Sequence, residues 1–238
     1  MRIAKTAVIF AAISLLVIIG CGNNNADAGD KGKTEEKKST SMSTDSVIAA
    51  NQAYYDSLAA IRYPVRDTNN PIVTISTKYG DMTLELYRDV APAHADSFLA
   101  RTKDGFYQDS IFFHRIIDGF MIQGGDPLGT GMGNAGYFLQ AEFSDLPHQD
   151  GTLSMARSAN PNSASSQFFI CLGRNASTAS LDGKYTVFGQ LLKGFNVLHR
   201  IAKIEVMRDP KNPQAAPPKE KVYFERVYVS DAEGNPIK

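Results

Sequence analysis

The sequence predicts a mainly β fold, a closed eight-stranded antiparallel barrel capped by two α-helices. From Pro71 onward, apolar residues alternate with polar ones or form short runs separated by Gly-rich turns, and only two stretches of this region have helical spacing. The strands follow one another directly instead of alternating with helices. This order favours a barrel over a parallel βαβ sheet.

Alternation and short apolar runs predict the strands. Apolar residues alternate at Val73 and Ile75 and again at Met82 and Leu84, on the two sides of a turn at Gly80, which predicts a hairpin. Six further strands are predicted over residues 110–117, 120–123, 151–156, 167–172, 185–191 and 222–229.

The two helices of the domain are predicted from spacing and from residues that start or stop helices. The first begins at Pro92, because proline suits the first helical turn, and closes at Gly105. The second covers residues 195–202, after Gly194. The segment 207–219 contains four prolines and no periodicity, so we expect an exposed loop there.

The N-terminus is typical of a bacterial lipoprotein signal peptide, residues 1–20. Arg2 and Lys5 precede an apolar stretch that is shorter than the ~20 residues needed to span a membrane as a helix. Gly20 immediately before Cys21 resembles a lipobox, in which the cysteine receives the lipid. We therefore expect attachment at Cys21 to a membrane of the bacterial cell envelope, with the protein facing the periplasm.

The rest of the chain divides by composition. Residues 21–44 are polar and lack aromatic side chains, which predicts a flexible tether. Residues 45–70 contain helical spacing after Thr44-Asp45, and this predicts one short helix and a linker that either docks on the domain or simply carries it. The folded domain is expected over 71–230, followed by a C-terminal tail over 231–238.

Charge and residue spacing exclude several classes of protein. The 25 basic and 25 acidic residues give a net charge of zero, so we expect no nucleic-acid partner. The four histidines lack metal-ligand spacing, and we expect no metal and no cofactor. The glycines of 131–136 match a dinucleotide fingerprint, but no strand precedes them and no helix follows, which indicates a loop. Cys171 lies in an apolar run and is interpreted as a core residue.

Four stretches of the domain are the most informative about function: residues 113–126, 151–157, 166–170 and 181–189. In each of the strands that they contain, apolar and polar side chains share a face. Phe113 is paired with Arg115 in this way, and Gln167 is paired with Phe169. Repeated pairing of apolar and amide or guanidinium groups predicts a binding groove.

Over residues 71–230 these stretches resemble, in order, the cyclophilin family of peptidyl-prolyl cis/trans isomerases. The resemblance implies a proline site on the outer surface of the barrel, with Arg115 as the catalytic residue. It further implies that the pocket for the proline ring is formed by Phe120, Met121, Phe169 and Leu181, and that the peptide backbone is contacted by Gln123 and Gln167. The strand beside the bound peptide would contain Ala156 and Arg157, and Tyr185 stands where many relatives carry histidine.

The chain departs from the family pattern at Ser180 and Asp118, and Arg157 stands where animal members carry an asparagine. Ser180 stands where they carry a tryptophan before the segment Leu181-Asp182-Gly183, so weak binding of cyclosporin is expected. Asp118 replaces the usual proline of its motif, which concerns only the rigidity of a loop.

The resemblance implies an isomerase that accelerates rotation about X-Pro bonds in extracytoplasmic proteins and assists their folding. Its partners would be proline-containing peptides and unfolded or partly folded proteins, and we expect a monomer. The alternative is a non-catalytic chaperone that binds proline peptides, or a scaffold lipoprotein of the envelope.

Overall fold

The computed structural model describes residues 44–108, 110–207 and 215–237. The predicted signal peptide, the lipidation site Cys21 and the tether up to residue 43 lie outside these residues. Within them, no helix combines the length and apolarity required to cross a membrane.

The described residues contain eight strands and four helices in a mainly β arrangement. The strands are β1 (Ile72–Thr77), β2 (Gly80–Leu86), β3 (Arg115–Ile117), β4 (Met121–Gly124), β5 (Thr152–Met155), β6 (Phe168–Cys171), β7 (Val187–Lys193) and β8 (Arg226–Ser230). The helices are α1 (Thr44–Ala59), α2 (Pro92–Lys103), α3 (Ala176–Ala179) and α4 (Phe195–Ala202).

All eight strands belong to one antiparallel sheet with the order β3-β4-β6-β5-β7-β2-β1-β8. The antiparallel sheet is therefore confirmed. The ladder has two edges, β3 and β8, and only the segments just before them are joined. Phe113 N donates to Val222 O at 3.1 Å, and Phe224 N donates to Ile111 O at 2.9 Å. A barrel closed by a continuous ladder stays a prediction.

The main core lies on one face of this sheet, where α2 packs against β7 and β8 and α4 packs against β2 and β4. Alternation sends every second strand residue into it, and Ile122, Leu153 and Ile170 are fully buried there. The opposite side chains of β4 and β6 face outward. Met121, Phe169, Cys171 and Leu181 form a second, smaller apolar cluster on that face.

Helix α1 docks on the domain, which resolves the two alternatives that the sequence left open. It packs against α4 and buries Leu58, and the segment after it continues this contact. The Tyr63 ring stacks on Phe195 with centroids 5.3 Å apart, and Tyr63 N donates to Leu192 O at 3.1 Å. Tyr55, Leu58 and Ile61 thus lie against the core.

Two local expectations need correction. The prediction of an exposed loop over 207–219 is wrong for Ala216 and Pro218, which are buried. Ile116 N in the edge strand β3 donates to Ala216 O at 3.0 Å, so this segment covers part of an otherwise unpaired edge. Helix α3 was not predicted, although Asn175 and Thr178 form a capping box at its start.

Candidate active site

The candidate site lies on the outward face of the sheet, where a row of side chains crosses adjacent strands. Arg115 in β3 is directly opposite Gln123 in β4, and Gln123 is directly opposite Phe169 in β6. Residues paired across an antiparallel ladder point to the same side of the sheet. Register alone therefore brings a guanidinium, an amide and an aromatic ring together.

This row forms part of a cavity of about 250 Å³. The lining residues are Arg115, Phe120, Met121, Gln123, Ala156, Arg157, Phe169, Leu181 and Tyr185. Met121, Phe169 and Leu181 are buried and give the cavity an apolar floor. Every predicted site residue of the domain except Gln167 is in this lining.

Arg115 is held at the edge of the cavity by polar contacts. Its Nη1 donates to Gln123 Oε1 at 3.1 Å and lies 3.9 Å from Met121 Sδ. Burial lowers the pKa of Arg115 from its ordinary value, and the nearby Tyr185 partly offsets this. An arginine stays protonated in proteins at neutral pH, so the cavity contains a fixed positive charge.

A chain of hydrogen bonds fixes which way the two glutamine amides point. Gln167 Nε2 donates to Gly131 O at 3.1 Å and to Gly133 O at 2.8 Å, so its oxygen must face the other way. That oxygen accepts from Gln123 Nε2 at 3.0 Å, which turns Gln123 Oε1 toward Arg115. The loop of residues 131–133 therefore orients the Arg115 guanidinium through two side chains.

Aromatic and cationic groups form another part of the cavity lining. Tyr185 packs edge-on against Phe169, with ring centroids 5.9 Å apart. The Arg157 guanidinium carbon lies 4.3 Å from the centre of the Tyr185 ring, and its Nη2 donates to Lys184 O at 2.8 Å. These two contacts hold the Arg157 side chain in place next to Ala156, which also lines the cavity.

A second cavity of about 430 Å³ is adjacent to the first, and Gln123, Ala156 and Arg157 line both. It contains Gln167, the predicted site residue that does not line the first cavity. Exposed Met132 and Phe138 also contribute to it, although the sequence analysis did not select them. The feature of the sequence that could have indicated them is a large apolar residue within or next to a polar, Gly-rich loop.

One expected pairing is wrong. Phe113 does not share the groove with Arg115, because it is fully buried in the main core, 4.7 Å from Phe224 between ring centroids. Residues 111–113 bond to the segment before β8, and regular β3 begins only at Arg115. Strand alternation therefore does not extend from Phe113 to Arg115.

Several buried ionisable groups lie outside the lining of the cavity. Among the described residues, no three His, Cys, Asp or Glu side chains come close enough together to bind a metal ion. Cys171 is a buried free thiol whose pKa is raised by desolvation, as expected for a core position. His114 precedes Arg115 in the sequence, but its side chain is buried and lines neither cavity.

Comparison with known proteins assigns the family. Residues 72–229 match the family described as cyclophilin type peptidyl-prolyl cis-trans isomerase/CLD. A Staphylococcus haemolyticus protein named for peptidyl-prolyl cis-trans isomerase is 37% identical over 188 residues, which cover 67% of this chain and 91% of that protein. A Streptococcus pyogenes protein, whose name combines a phosphatase with this isomerase, is 41% identical over 204 residues. The match covers 72% of this chain but only 42% of that longer protein.

Solved structures show the same likeness. A crystal structure of a cyclophilin type peptidyl-prolyl cis-trans isomerase from Cryptosporidium parvum has a TM-score of 0.60 and 33% identity, over 68% of this chain and 98% of that one. A second structure of that protein, in the presence of the dipeptide Ala-Pro, has a TM-score of 0.59 and 34% identity, over 67% of this chain and 99% of that one. The chain belongs to the cyclophilin family, and its function is that of a peptidyl-prolyl cis-trans isomerase.

Proposed function

We propose that this isomerase acts on X-Pro bonds of extracytoplasmic proteins during their folding, with Arg115 as its catalytic residue. The observation that carries the proposal is the position of the Arg115 guanidinium, held by Gln123 at the edge of a cavity with an apolar floor. Such a cavity suits an uncharged proline ring, and the guanidinium suits a developing hydrogen-bond acceptor.

The reaction needs no covalent chemistry. Amide resonance imposes a barrier of ~18–20 kcal/mol on rotation, and uncatalysed X-Pro exchange takes tens to hundreds of seconds. When the bond twists, the nitrogen lone pair leaves conjugation and becomes available to accept a hydrogen bond. A donor aimed at that nitrogen stabilises the twisted state more than the planar one, and this difference is what accelerates rotation.

Each group of the cavity has a distinct part in this proposal. Met121, Phe169 and Leu181 hold the proline ring by burial while the carbonyl on the other side turns. Gln123 and Gln167 offer amide groups to the peptide backbone, and Ala156 and Arg157 extend along it. A proline ring bound on the apolar floor would displace water from the cavity, and this would make the contact from the guanidinium stronger than it is in water.

Catalysis can be distinguished from mere binding by measuring both on the same sample. We expect the purified full chain to bind an Ala-Pro tetrapeptide and to accelerate its cis/trans exchange, as measured by NMR exchange spectroscopy. Binding without acceleration would favour the non-catalytic chaperone over the isomerase. Absence of both would leave only the scaffold alternative.

The extracytoplasmic part of the proposal rests on Cys21 and the residues before it. Fatty-acid labelling in a bacterial host should mark the wild-type chain and place it in the membrane fraction. Cys21→Ser should abolish the label, whereas Cys171→Ser should keep it, because Cys171 is buried in the domain. A soluble, unlabelled wild-type chain would contradict a lipid anchor.

A further inference from the structure

A buried hydrogen-bond chain lies beside the candidate proline pocket and is not part of its lining. His148 Nε2 is 2.9 Å from Ser154 Oγ, and His148 Nδ1 is 3.0 Å from Asp182 Oδ1. Both His148 and Ser154 are fully buried. The three residues come from the segment before β5, from β5 itself and from the loop before β7.

The protonation state of this chain follows from its surroundings. Desolvation lowers the pKa of His148, while its contact with Asp182 raises it by less, so the ring is neutral at neutral pH. The Asp182 carboxylate is an acceptor, held in its ionised form by Arg174, so Nδ1 carries the hydrogen. Nε2 is then an acceptor that shares the Ser154 hydroxyl hydrogen with Thr186 O.

Serine, histidine and aspartate contact one another in the same sequence in a hydrolytic triad, but the burial of Ser154 excludes a role as a nucleophile. No substrate can reach Ser154 Oγ, since the side chain is fully buried. This hydroxyl also lies 3.0 Å from the backbone oxygen Thr186 O, a second acceptor for its single hydrogen. The chain is therefore a structural link between segments.

The residues of this chain lie next to side chains that line the pocket. Ser154 is directly opposite Phe169 in the ladder, and the His148 ring lies nearly parallel to the Phe169 ring, at 15° with centroids 6.1 Å apart. Asp182 follows Leu181 directly. Arg174 binds both oxygens of Asp182, at 3.1 and 2.6 Å, and also donates to His148 O at 2.9 Å.

We propose that His148 is a positioning residue for the proline pocket: anchored between Ser154 and Asp182, it fixes the Phe169 ring and the Leu181 loop at the spacing that a proline ring requires. It touches no substrate. The inference rests on the proposed function of the site, because it assigns His148 to the same pocket.

The test separates positioning from simple stabilisation by splitting KM from kcat. His148→Ala should raise KM for an Ala-Pro peptide roughly tenfold and leave kcat nearly unchanged. The loosened apolar floor would bind the ground state and the transition state more weakly, and by the same factor. Arg115 and Gln123 are untouched. Ser154→Ala, a smaller change that preserves the packing of the ring, should raise KM in the same direction by a smaller factor.

The matched control is His94→Ala. His94 is also fully buried and bonds a carboxylate through Nδ1, at 2.7 Å from Glu142 Oε2, but it lies on α2 and lines neither cavity. It should lower the melting temperature without changing KM. Unchanged KM in both His148→Ala and Ser154→Ala, or an equal rise in His94→Ala, would overturn the proposal.

Peptide affinity is titrated separately by NMR on all variants. An inactive wild-type chain that still binds the peptide would refute the proposed catalysis, while the change in Kd on His148→Ala would still test its positioning role. If His148→Ala does not fold, Ser154→Ala decides the question alone.

Discussion

Burial of three histidine side chains makes the stability of this protein depend on pH. The three residues are His94, His114 and His148, and desolvation lowers the pKa of each in the folded state below the ordinary value of 6.5. As pH falls below 6.5, the unfolded chain takes up protons that the folded chain resists, so the free energy of unfolding decreases. The lowered pKa of Asp126 acts only below its ordinary value of 3.8, outside this window.

His114 is the clearest test of this effect. Neither of its ring nitrogens has a hydrogen-bond partner among the described residues. Desolvation and the Arg115 charge lower its pKa, and only the Asp126 charge opposes them. We expect His114→Leu to reduce the loss of stability between pH 7 and pH 5 by up to ~1.4 kcal/mol per pH unit, the limit for one proton. Denaturant unfolding at the two pH values measures it.

The neighbouring core substitution Phe113→Leu serves as the control, because it removes volume without removing a titratable group. It should lower the free energy of unfolding by the same amount at both pH values. Wild-type pH dependence in His114→Leu would show that this histidine titrates normally in the folded protein.

At the residue scale, the sequence predicts the pocket well and its supports poorly. The motifs identify Arg115, Gln123 and Phe169 as a set, and the register places them in one row. The contact of His148 with Asp182 joins residues 34 positions apart, and no periodicity or motif indicates it. Contacts of this kind follow from tertiary packing alone.

At the scale of elements, periodicity predicts where strands and helices lie better than it predicts where they end. The helix predicted from Pro92 is α2, and the helix predicted after Gly194 is α4, whose preceding glycine has φ 94°. The strand predicted over 110–117 shortens to Arg115–Ile117, because residues 111–113 bond elsewhere. The spacing of α1 indicates an apolar face, but only the fold shows that α4 covers it.

The docking of α1 yields a stability prediction. Leu58 has 9% of its surface exposed and packs with the main core, so Leu58→Ala should lower the free energy of unfolding by ~2–3 kcal/mol, the lower part of the range for buried leucines. Asn51→Ala, on the exposed side of the same helix, should change it by less than ~0.5 kcal/mol. Equal, small effects in a chemical denaturation series would mean that α1 is not part of the folded unit.

At the scale of the whole molecule, the folded unit is larger than the region that matches the family. The match covers residues 72–229, but the backbone amides of Arg66 and Asp67 donate to the buried Glu85 carboxylate at 2.8 and 2.9 Å. At the other end, Ile237 N donates to Val229 O at 3.0 Å, so the tail folds back on β8. The extensions before and after the family region are therefore built into the domain.

The catalytic proposal also depends on the whole sheet, because the pairing of β3 with β4 holds Arg115 opposite Gln123. The sequence identifies this residue through a resemblance, while the structure supplies its surroundings: an amide that orients it and an apolar floor beneath it. The central claim is that the guanidinium stabilises the prolyl nitrogen once the bond has twisted.

The most direct test is the isomerase kcat/KM of Arg115→Ala. The account predicts a loss of ~10²–10³, the usual effect of removing one such donor, with an unchanged melting transition. Arg115→Lys should recover little of it, because an ammonium lacks the planar fork. Arg226→Ala removes an exposed arginine that lines neither cavity and should have wild-type activity. Wild-type kcat/KM in folded Arg115→Ala would contradict the account.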